Sequence, residues 1–340
     1  MKVVCPAAQI QSHHAPAQEF SRGSLHPYPE SPKRYDAIRQ ALEKTAWADL
    51  IPSEAQDDAH LKAVHGEPYI DFLRTVYESW SAAGGEGDLV SSLFTDKDGR
   101  VPANPAAATG YYGFDTTPIV AGTWAATRAA ADACLTAADL LLKGAPAVYA
   151  LCRPPGHHAA SDRFGGYCYL NHAAIAAQHL LTAGPVAIID IDYHHGNGTQ
   201  QIFYSRADVF YVSIHGDTNW EYPLYWGRAD ETGEGEGVDF TLNLPLPADT
   251  GDQAYLLCLE SALAKILDFS PSHLVVSAGF DTWMHDPLGT FRLTLDGIAA
   301  VGAKLAEFNL PTLVVQEGGY DIDNLGRLAT GFLQPFSCKE

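Results

Sequence analysis

The sequence predicts a single α/β domain whose sheet is mainly parallel and covered by helices on both faces. Short apolar, β-branched runs alternate with longer helix-like stretches, which is the pattern of strands buried between two helical layers. The chain has 340 residues, of which 46% are apolar and 18% charged, and this composition supports one large core. We find no Pro-, Gly- or Ser-rich linker that would divide residues 1–340 into separate domains.

Six runs are predicted as strands because they are short, apolar and rich in β-branched residues. These are 2–5, 147–152, 186–191, 209–214, 273–277 and 312–316. Six longer stretches have helical spacing of apolar residues or an Ala- and Leu-rich composition, and are predicted as helices. These are 31–44, 67–80, 118–143, 171–182, 252–267 and 295–308. Gly144 and Gly184 follow two of them, as residues that end helices commonly do.

The segment 81–118 differs from its surroundings because it is rich in Gly, Ala, Ser and Pro and carries Tyr111, Tyr112 and Phe114. We expect a long loop insertion here, and long loops in compact domains usually serve a function or an interface. A second, aromatic loop with the sequence WEYPLYW is expected at 220–226.

Charge and cysteine content exclude several classes of protein. There are 41 acidic and 21 basic residues, a net charge of -20 and no run of Lys or Arg, so neither nucleic acid nor an anionic membrane is an expected partner. The acidic excess either attracts a cationic substrate or simply favours solubility. The six cysteines form no CxxC motif, and the chain has neither an apolar leader nor a membrane-length apolar run. We therefore expect reduced thiols and a cytoplasmic location.

Chemistry-bearing residues recur directly after the predicted strands. RPPGHH follows 147–152, DYHHGNG follows 186–191, HGD follows 209–214, AGFD follows 273–277 and EGGY follows 312–316. Ligands of open α/β sheets bind at the carboxyl ends of the strands. Five strand ends that deliver His, Asp and Tyr therefore predict one shared site.

Asp192 and His194 are the first candidate metal ligands. Side chains at i and i+2 point the same way on an extended segment. Carboxylate and imidazole both bind zinc, and a catalytic zinc has about three protein ligands. Asp281 follows an equivalent strand and is the best candidate for the third ligand. This set suits Zn²⁺, although Fe²⁺ or Co²⁺ also fits. An isolated Asp-x-His would more often be an ordinary polar pair, but the neighbouring clusters favour metal binding.

His157 and His158 are candidates for general acid-base catalysis. Adjacent histidines on a turn cannot easily bind one ion together, but they can flank a metal-activated water. Asp190 is placed to orient one of them and Asn197 the other. Because a carboxylate favours imidazolium more than an amide does, the two histidines need not share one protonation state.

Tyr320 follows two glycines, which allow the backbone to bend sharply and expose the next side chain. Beside a metal, its phenol could donate a hydrogen bond to a developing oxyanion; the alternative is a tyrosine of the core. Arg153, which precedes two prolines, is interpreted as a structural anchor. His13 and His14 lie outside the predicted strands and are expected in a solvated loop.

Together these motifs resemble the histone deacetylase superfamily of zinc amidohydrolases, and in particular its bacterial acetylpolyamine amidohydrolases. The resemblance extends from about residue 20 to residue 335. It is densest in LCRPPGHHAASDRFGGYCYLNHAAIAAQ, AIIDIDYHHGNGTQQIFY, YVSIHGD, VVSAGFDTWMHDP and VVQEGGY. It implies an arginase-like fold, in which one α/β domain surrounds a parallel sheet of about eight strands.

The resemblance also implies roles for the candidate residues. Three would bind zinc: Asp192, His194 and Asp281. Five would serve catalysis: His157, His158, their partners Asp190 and Asn197, and Tyr320, which would polarise the scissile carbonyl. Three would line the substrate tunnel: Gly166, Tyr167 and Tyr222. A structural potassium ion would be bound by Asp190, Ser213 and the backbone carbonyls of Asp192 and His194.

The insertion at 81–118 matches one that the polyamine branch uses to form dimers and to narrow the mouth of the active site, so the resemblance implies a homodimer. That branch carries acidic residues in the insertion for a distal ammonium group. Here 103–109 contains none, Thr117 is neutral, and Asp115 is the nearby acidic residue.

The sequence therefore predicts a zinc-dependent amidohydrolase that deacetylates a small acylated amine, with acetylpolyamines as the leading substrate class. Acetyl-lysine in peptides or proteins and other small amides stay open as substrates. An arginase-type dinuclear manganese hydrolase would need a second set of Asp and His ligands, which we cannot assemble from the sequence. A non-catalytic acyl-amine binding protein would be expected to have lost Tyr320, a histidine or a ligand, and none is lost.

Overall fold

The computed structural model describes residues 1–21, 23–97 and 99–338. The strands in this part of the chain are β1 (Lys2–Cys5), β2 (Gln18–Ser21), β3 (Ser24–Pro27), β4 (Asp49–Pro52), β5 (Ala147–Ala150), β6 (Val186–Asp190), β7 (Val209–Gly216), β8 (Thr241–Leu246), β9 (His273–Ala278) and β10 (Thr312–Gln316). Eight of them form a parallel sheet in the order β4-β1-β5-β10-β9-β6-β7-β8. β2 and β3 form a separate antiparallel hairpin. The predicted parallel sheet and its number of strands are confirmed.

The last strand of the chain occupies the middle of the sheet. β10 pairs with β5 on one side and with β9 on the other. It therefore joins the group β4-β1-β5 to the group β9-β6-β7-β8. Residues that follow β10 emerge at the centre of the carboxyl edge of the sheet.

The six strands predicted from the sequence are the six interior strands of the sheet, and the two that were not predicted, β4 and β8, are its edges. Most interior strands are buried along their whole length and therefore consist of continuous apolar runs. The edge strands DLIP and TLNLPL contain partly exposed residues, and each contains a proline, which edge strands tolerate.

The helices of the described residues surround this sheet. They are α1 (Ala8–His13), α2 (Pro32–Leu42), α3 (Asp58–Lys62), α4 (Glu67–Ala82), α5 (Pro105–Tyr112), α6 (Thr123–Leu142), α7 (His172–Leu180), α8 (Asn197–Phe203), α9 (Asp252–Phe269), α10 (Leu295–Glu307) and α11 (Ile322–Leu333). All six predicted helices are present, although α6 begins five residues later than 118. The sequence did not predict α11, because Gly326 and Gly331 interrupt its helical pattern.

The helices form two layers, because successive strand residues face opposite sides of the sheet. On β10, Leu313 and Val315 pack with α4, α6 and α7, whereas Val314 packs with α2, α9, α10 and α11. Both layers are well filled, so the predicted covering of the sheet on both faces is confirmed.

The segment 81–118 is not one continuous loop, and that part of the prediction is wrong. α5 lies within it and begins at Asn104, whose side chain accepts a hydrogen bond from Ala107 N at 3.1 Å. Gly110 obscured the helix in the sequence, yet the fold requires a glycine there. A Cβ on Gly110 would lie 1.5 Å from the carbonyl oxygen of Leu93, so the helix packs directly against the preceding loop.

Arg153 fastens the N-terminal segment to the sheet, as its interpretation as an anchor predicted. Its side chain is 1% exposed, and its Nη atoms donate to the carbonyl oxygens of Gln11 at 2.6 Å and His14 at 2.5 Å. Arg153 Nε lies 2.9 Å from Glu30 Oε1. The expectation that His14 lies in a solvated loop is wrong, because His14 is fully buried beside this ion pair.

Two observations bear on the environment of the chain. Among the described residues, no helix has both the length and the apolar character needed to cross a membrane. All six cysteines have free thiols, and the Sγ atoms of Cys134 and Cys152 approach to 3.3 Å inside the core.

Two helical glycines provide a matched test of the packing between α10 and α11. A Cβ on Gly302 would lie 2.1 Å from the carbonyl oxygen of Phe332, whereas a Cβ on Gly331 meets only Ala299 Cβ at 4.0 Å. We expect Gly302→Ala to lower the free energy of unfolding by about 1–3 kcal/mol. Gly331→Ala should raise it by up to about 1 kcal/mol because alanine favours the helix. Urea unfolding measured by circular dichroism compares them, and equal effects would contradict this packing.

Candidate active site

The predicted site residues converge at the carboxyl edge of the middle strands. Asp190 ends β6, and Asp192 and His194 follow it. Asp281 follows β9, and Tyr320 follows β10. Because β10, β9 and β6 are neighbours in the sheet, their carboxyl ends bring these side chains together.

Asp192, His194 and Asp281 form a compact group whose donor atoms lie within 4.8 Å of one another. His194 Nδ1 is 3.0 Å from Asp281 Oδ2 and 3.4 Å from Asp192 Oδ1. The two carboxylates are buried, whereas the imidazole is 13% exposed. One nitrogen and two oxygen donors with one accessible side form the kind of ligand set that catalytic zinc sites use.

The backbone around this group is shaped to hold the two carboxylates. A Cβ on Gly279 would lie 2.0 Å from Asp192 Oδ2, and a Cβ on Gly318 would lie 2.5 Å from Asp281 Oδ2. Gly318 N donates to Asp192 Oδ2 at 2.8 Å, and Tyr193 N donates to Asp281 Oδ1 at 2.9 Å. The glycines leave the space that the carboxylates fill, and these residues fit a divalent ion.

The group holds protons that a divalent ion must displace. Burial alone would lower the pKa of His194, but hydrogen bonds to Asp192 and Asp281 raise it to about 10. Burial, together with the charge of Asp192, raises the pKa of Asp281. The neighbouring histidines hold the pKa of Asp192 below its usual range in spite of its burial. Since a metal binds unprotonated ligands, its affinity here depends on pH.

His157 and His158 lie with ring centres 4.0 Å apart and have different partners. His157 Nδ1 is 3.0 Å from Asp190 Oδ2, and His158 Nδ1 is 2.8 Å from Asn197 Oδ1. Burial alone would lower the pKa of His157, but Asp190 and Asp192 raise it to about 10. Burial and the neighbouring His157 hold the pKa of His158 well below its usual range. The two histidines thus have the different partners expected of them, and their different protonation states stay a prediction.

Tyr320 is positioned through its backbone and its ring. Gly319 has a φ of +114°, which permits the sharp bend after β10. Tyr320 N donates to Asp286 Oδ2 at 2.6 Å. The Arg34 guanidinium lies 4.8 Å from the centre of the Tyr320 ring and donates to the Gly319 carbonyl at 2.6 Å. Burial raises the pKa of Tyr320 well above its usual value, so the phenol keeps its proton and can donate a hydrogen bond.

A cavity of about 650 Å³ opens beside these residues. Three of the predicted catalytic and metal-binding residues line it: His158, His194 and Tyr320. All three predicted tunnel residues also line it: Gly166, Tyr167 and Tyr222. A cavity of this size suits a small molecule or the side chain of a peptide.

One wall of the cavity has a constrained backbone. Gly166 and Tyr167 have φ values of +55° and +68°. A Cβ on Gly166 would lie 2.3 Å from His158 Cδ2, so glycine alone fits there. Thr117 Oγ1 accepts a hydrogen bond from Tyr167 N at 3.1 Å, and the Tyr167 hydroxyl donates to Glu19 Oε2 at 2.6 Å. These bonds hold Tyr167 in a conformation that L-residues otherwise avoid.

Four polar residues that support the site were given no role in the sequence analysis: Glu19, Arg34, Asp286 and Glu317. Glu317 Oε2 accepts hydrogen bonds from Gly156 N at 2.7 Å and His157 N at 3.1 Å, and burial raises the pKa of Glu317 to about 7. Asp286 lies in the motif VVSAGFDTWMHDP and Glu317 in VVQEGGY. Their membership of these motifs could have indicated them as candidate site residues. Arg34 and Glu19 lie far from every motif, and the fold alone brings them to the site.

A second group of donor atoms, those of His157, Cys168 and Glu317, lies beside the first within the described part of the chain. It offers a thiol in place of the Asp and His ligands expected of an arginase-type dinuclear centre. This group therefore does not supply the second set of Asp and His ligands that a dinuclear manganese centre needs.

Asp190 and Ser213, the predicted potassium ligands, are register partners on β6 and β7. Ser213 Oγ lies 2.8 Å from His215 Nδ1 and 3.2 Å from His195 Nδ1. Oxygen donors of this kind suit a hard cation. Potassium at this place stays a prediction.

The eight-stranded parallel sheet, with this ligand group at its carboxyl edge, defines a protein of the arginase/deacetylase fold. The family described as Histone deacetylase domain matches residues 28–335. The chain belongs to this family of metal-dependent deacetylases, and the resemblance found in the sequence is confirmed.

Individual relatives show which members of the family this chain is similar to. Acetylpolyamine amidohydrolase 1 of Pseudomonas aeruginosa is 42% identical over 330 residues, which is 95% of each chain. Acetylpolyamine amidohydrolase of Burkholderia pseudomallei is 42% identical over 334 residues, 96% of this chain and 97% of that one. A crystal structure of acetylpolyamine aminohydrolase from Burkholderia pseudomallei superposes with a TM-score of 0.95 at 38% identity and covers 99% of both chains.

The protons held by the metal-ligand group give a testable pH dependence. We expect the affinity of the metal-free protein for Zn²⁺ to fall about tenfold per pH unit of acidification for each displaced proton. A competition titration with a chromophoric chelator between pH 6 and 8 measures the affinity. Asp281→Asn should weaken it throughout, whereas Asp36→Asn on the exposed face of α2 should leave it unchanged. An affinity independent of pH would contradict the protonated group.

Proposed function

We propose that this chain is a zinc-dependent amidohydrolase that deacetylates small acylated amines, with acetylpolyamines as the leading substrate class. The observation that carries the proposal is the convergence of three kinds of group on one cavity. They are a metal-ligand set, a neutral histidine and a protonated phenol, represented by His194, His158 and Tyr320. The names of the relatives support the substrate class.

Asp192, His194 and Asp281 would hold the ion. Bound there, zinc supplies Lewis acidity, which polarises an amide carbonyl and acidifies water. The protein's own contribution is to fix two carboxylates and one imidazole on one side of the cavity and to leave the other side open. Tyr320 donates its phenolic proton in a hydrogen bond to the oxygen of the scissile carbonyl as negative charge develops there.

His158 is the group that moves the proton. The Asn197 oxygen can only accept a hydrogen bond, so His158 Nδ1 carries the proton and Nε2 is free to accept one. His158 lines the cavity, so its Nε2 takes the proton of the attacking water and returns it to the leaving amine. His157, kept as imidazolium by Asp190, supplies a fixed positive charge beneath. Water and amide are thereby converted to acetic acid and amine, and transfer of the acid's proton to the amine gives acetate and alkylammonium.

The assembly and location of the protein are part of the proposal. A homodimer formed through residues 81–118 is supported by apolar side chains that this segment exposes, Leu93 at 72% and Phe94 at 45%. A second chain on this segment would lie close to the cavity mouth and exclude folded proteins. The free thiols support a cytoplasmic location.

Replacing Tyr320 separates catalysis from metal binding. We expect Tyr320→Phe to lower kcat by about 10²–10³, because one oxyanion donor is lost. The affinity for Zn²⁺ should stay within about twofold of the wild-type value, since the phenol is not in the ligand set. Steady-state kinetics and the chelator titration measure the two effects. A variant with full activity would show that Tyr320 has another role.

Comparing two substrates tests the substrate class. We expect kcat/KM of the zinc-loaded protein for N-acetylputrescine to exceed that for a short acetyl-lysine peptide by about tenfold, a difference of about 1.4 kcal/mol in transition-state stabilisation. The opposite preference would indicate lysine deacetylation through an open mouth. If both turn over weakly and an aryl acetamide is cleaved well, the reaction class holds and the substrate is another amide.

A further inference from the structure

Asp115 lies at the cavity, and its carboxylate is occupied by hydrogen bonds from the protein itself. Oδ2 accepts from Gly166 N at 2.8 Å and from the Tyr222 hydroxyl at 2.9 Å. Oδ1 accepts from Thr117 N at 2.9 Å. Asp115 lines the cavity, and three of the about four hydrogen bonds that its carboxylate can accept come from the protein itself.

The three donors come from different walls. Thr117 belongs to the same turn as Asp115, Gly166 to the constrained wall segment and Tyr222 to the aromatic loop 220–226. A Cβ on Gly166 would lie 2.9 Å from the Tyr222 hydroxyl oxygen, which shows how closely the two walls meet there. We call the contact of Tyr222 with Asp115 the cross-wall bridge.

The Tyr222 ring reaches the reacting groups, while its hydroxyl points to the bridge. Its centre lies 4.9 Å from the centre of the His158 ring and 6.1 Å from that of His194, edge-on in both cases. The Phe114 ring is nearly parallel to it, with centres 6.3 Å apart. Burial, together with the Asp115 carboxylate, raises the pKa of Tyr222 well above its usual value, so the hydroxyl stays a donor.

The number of hydrogen bonds that each oxygen of Asp115 can accept shows how the cross-wall bridge affects this carboxylate. A carboxylate oxygen accepts about two hydrogen bonds, so the two donors on Oδ2 fill it. A cationic group of a substrate in the cavity therefore finds this oxygen occupied. Removing the Tyr222 hydroxyl alone would return one acceptor site to the cavity and leave the bonds from Gly166 and Thr117 in place.

We propose that the Tyr222 hydroxyl is a specificity-determining group, which withholds Asp115 Oδ2 from the cationic end of the amine portion of the substrate. The inference rests on the proposed amidohydrolase function and deepens it. The enzyme accepts acylated amines whether or not they carry a distal ammonium, and the strength of its preference for the cationic ones is set by the bridge.

The test compares two substrates that differ only at the distal end. N-acetylputrescine carries an ammonium group where N-pentylacetamide ends in a methyl group. We expect Tyr222→Phe to raise the ratio of their kcat/KM values about threefold to tenfold over the wild-type ratio. The change should appear in KM for N-acetylputrescine. The ratio cancels any general damage to the site, because both substrates use the same machinery.

Tyr225→Phe is the matched control. It removes a phenolic hydroxyl from the same loop, but Tyr225 is 76% exposed, so the ratio should stay at the wild-type value. A ratio within twofold of wild type for Tyr222→Phe, or an equal rise in the control, would overturn the proposal.

A binding measurement keeps the two proposals separate. Calorimetry with the product amines, putrescine and pentylamine, compares the same distal end without hydrolysis. If the wild type hydrolyses neither amide, the proposed function fails, yet the affinity ratio of the two amines still tests the bridge. An affinity ratio that does not change in Tyr222→Phe would overturn the bridge whatever the activity.

Discussion

Two carboxylates buried side by side against one imidazole set the conditions for the rest of the site. Burying a charge costs several kcal/mol unless hydrogen bonds and opposite charges compensate it. Asp192 and Asp281 receive that compensation from backbone N–H groups, from His194 and from the imidazolium of His157. The strand ends must also approach closely enough to deliver these donors. Glycine at 279 and at 318 is therefore a requirement of the electrostatics as well as of the packing.

The same arrangement explains how the pKa values of two adjacent, chemically identical side chains are shifted in opposite directions. His157 and His158 share one turn and one degree of burial, and they differ in their partners, a carboxylate from Asp190 and an amide from Asn197. His158, whose pKa is lowered, lines the cavity. Glu317 accepts hydrogen bonds from two backbone N–H groups of this turn. The fixed backbone therefore holds each histidine beside its own partner.

Much of the fold and most of the reacting groups could be predicted because both depend on local sequence. Interior strands are continuous apolar runs, and ligands that follow strand ends must meet at one edge of a parallel sheet. The edge strands β4 and β8 were not predicted because their exposed positions and prolines weaken the apolar pattern that indicates a strand. Helices α5 and α11 were not predicted because they contain glycines that are needed for tight packing, such as Gly110, and glycine in a sequence normally argues against a helix. Residues that act through contacts over long sequence distances, such as Arg34 with Gly319 and Asp115 with Tyr222, leave no local pattern.

The central position of β10 makes assembly of the whole sheet depend on one strand. Until residues 312–316 leave the ribosome, the strands made earlier can form only two separate half-sheets, each with an open edge. The strand that closes both edges also carries Glu317 and Tyr320 directly behind it. The candidate metal ligands Asp192, His194 and Asp281 precede β10 in the chain, whereas Glu317 and Tyr320 follow it directly. The pairing of β10 that completes the sheet therefore also delivers Glu317 and Tyr320 to the candidate site.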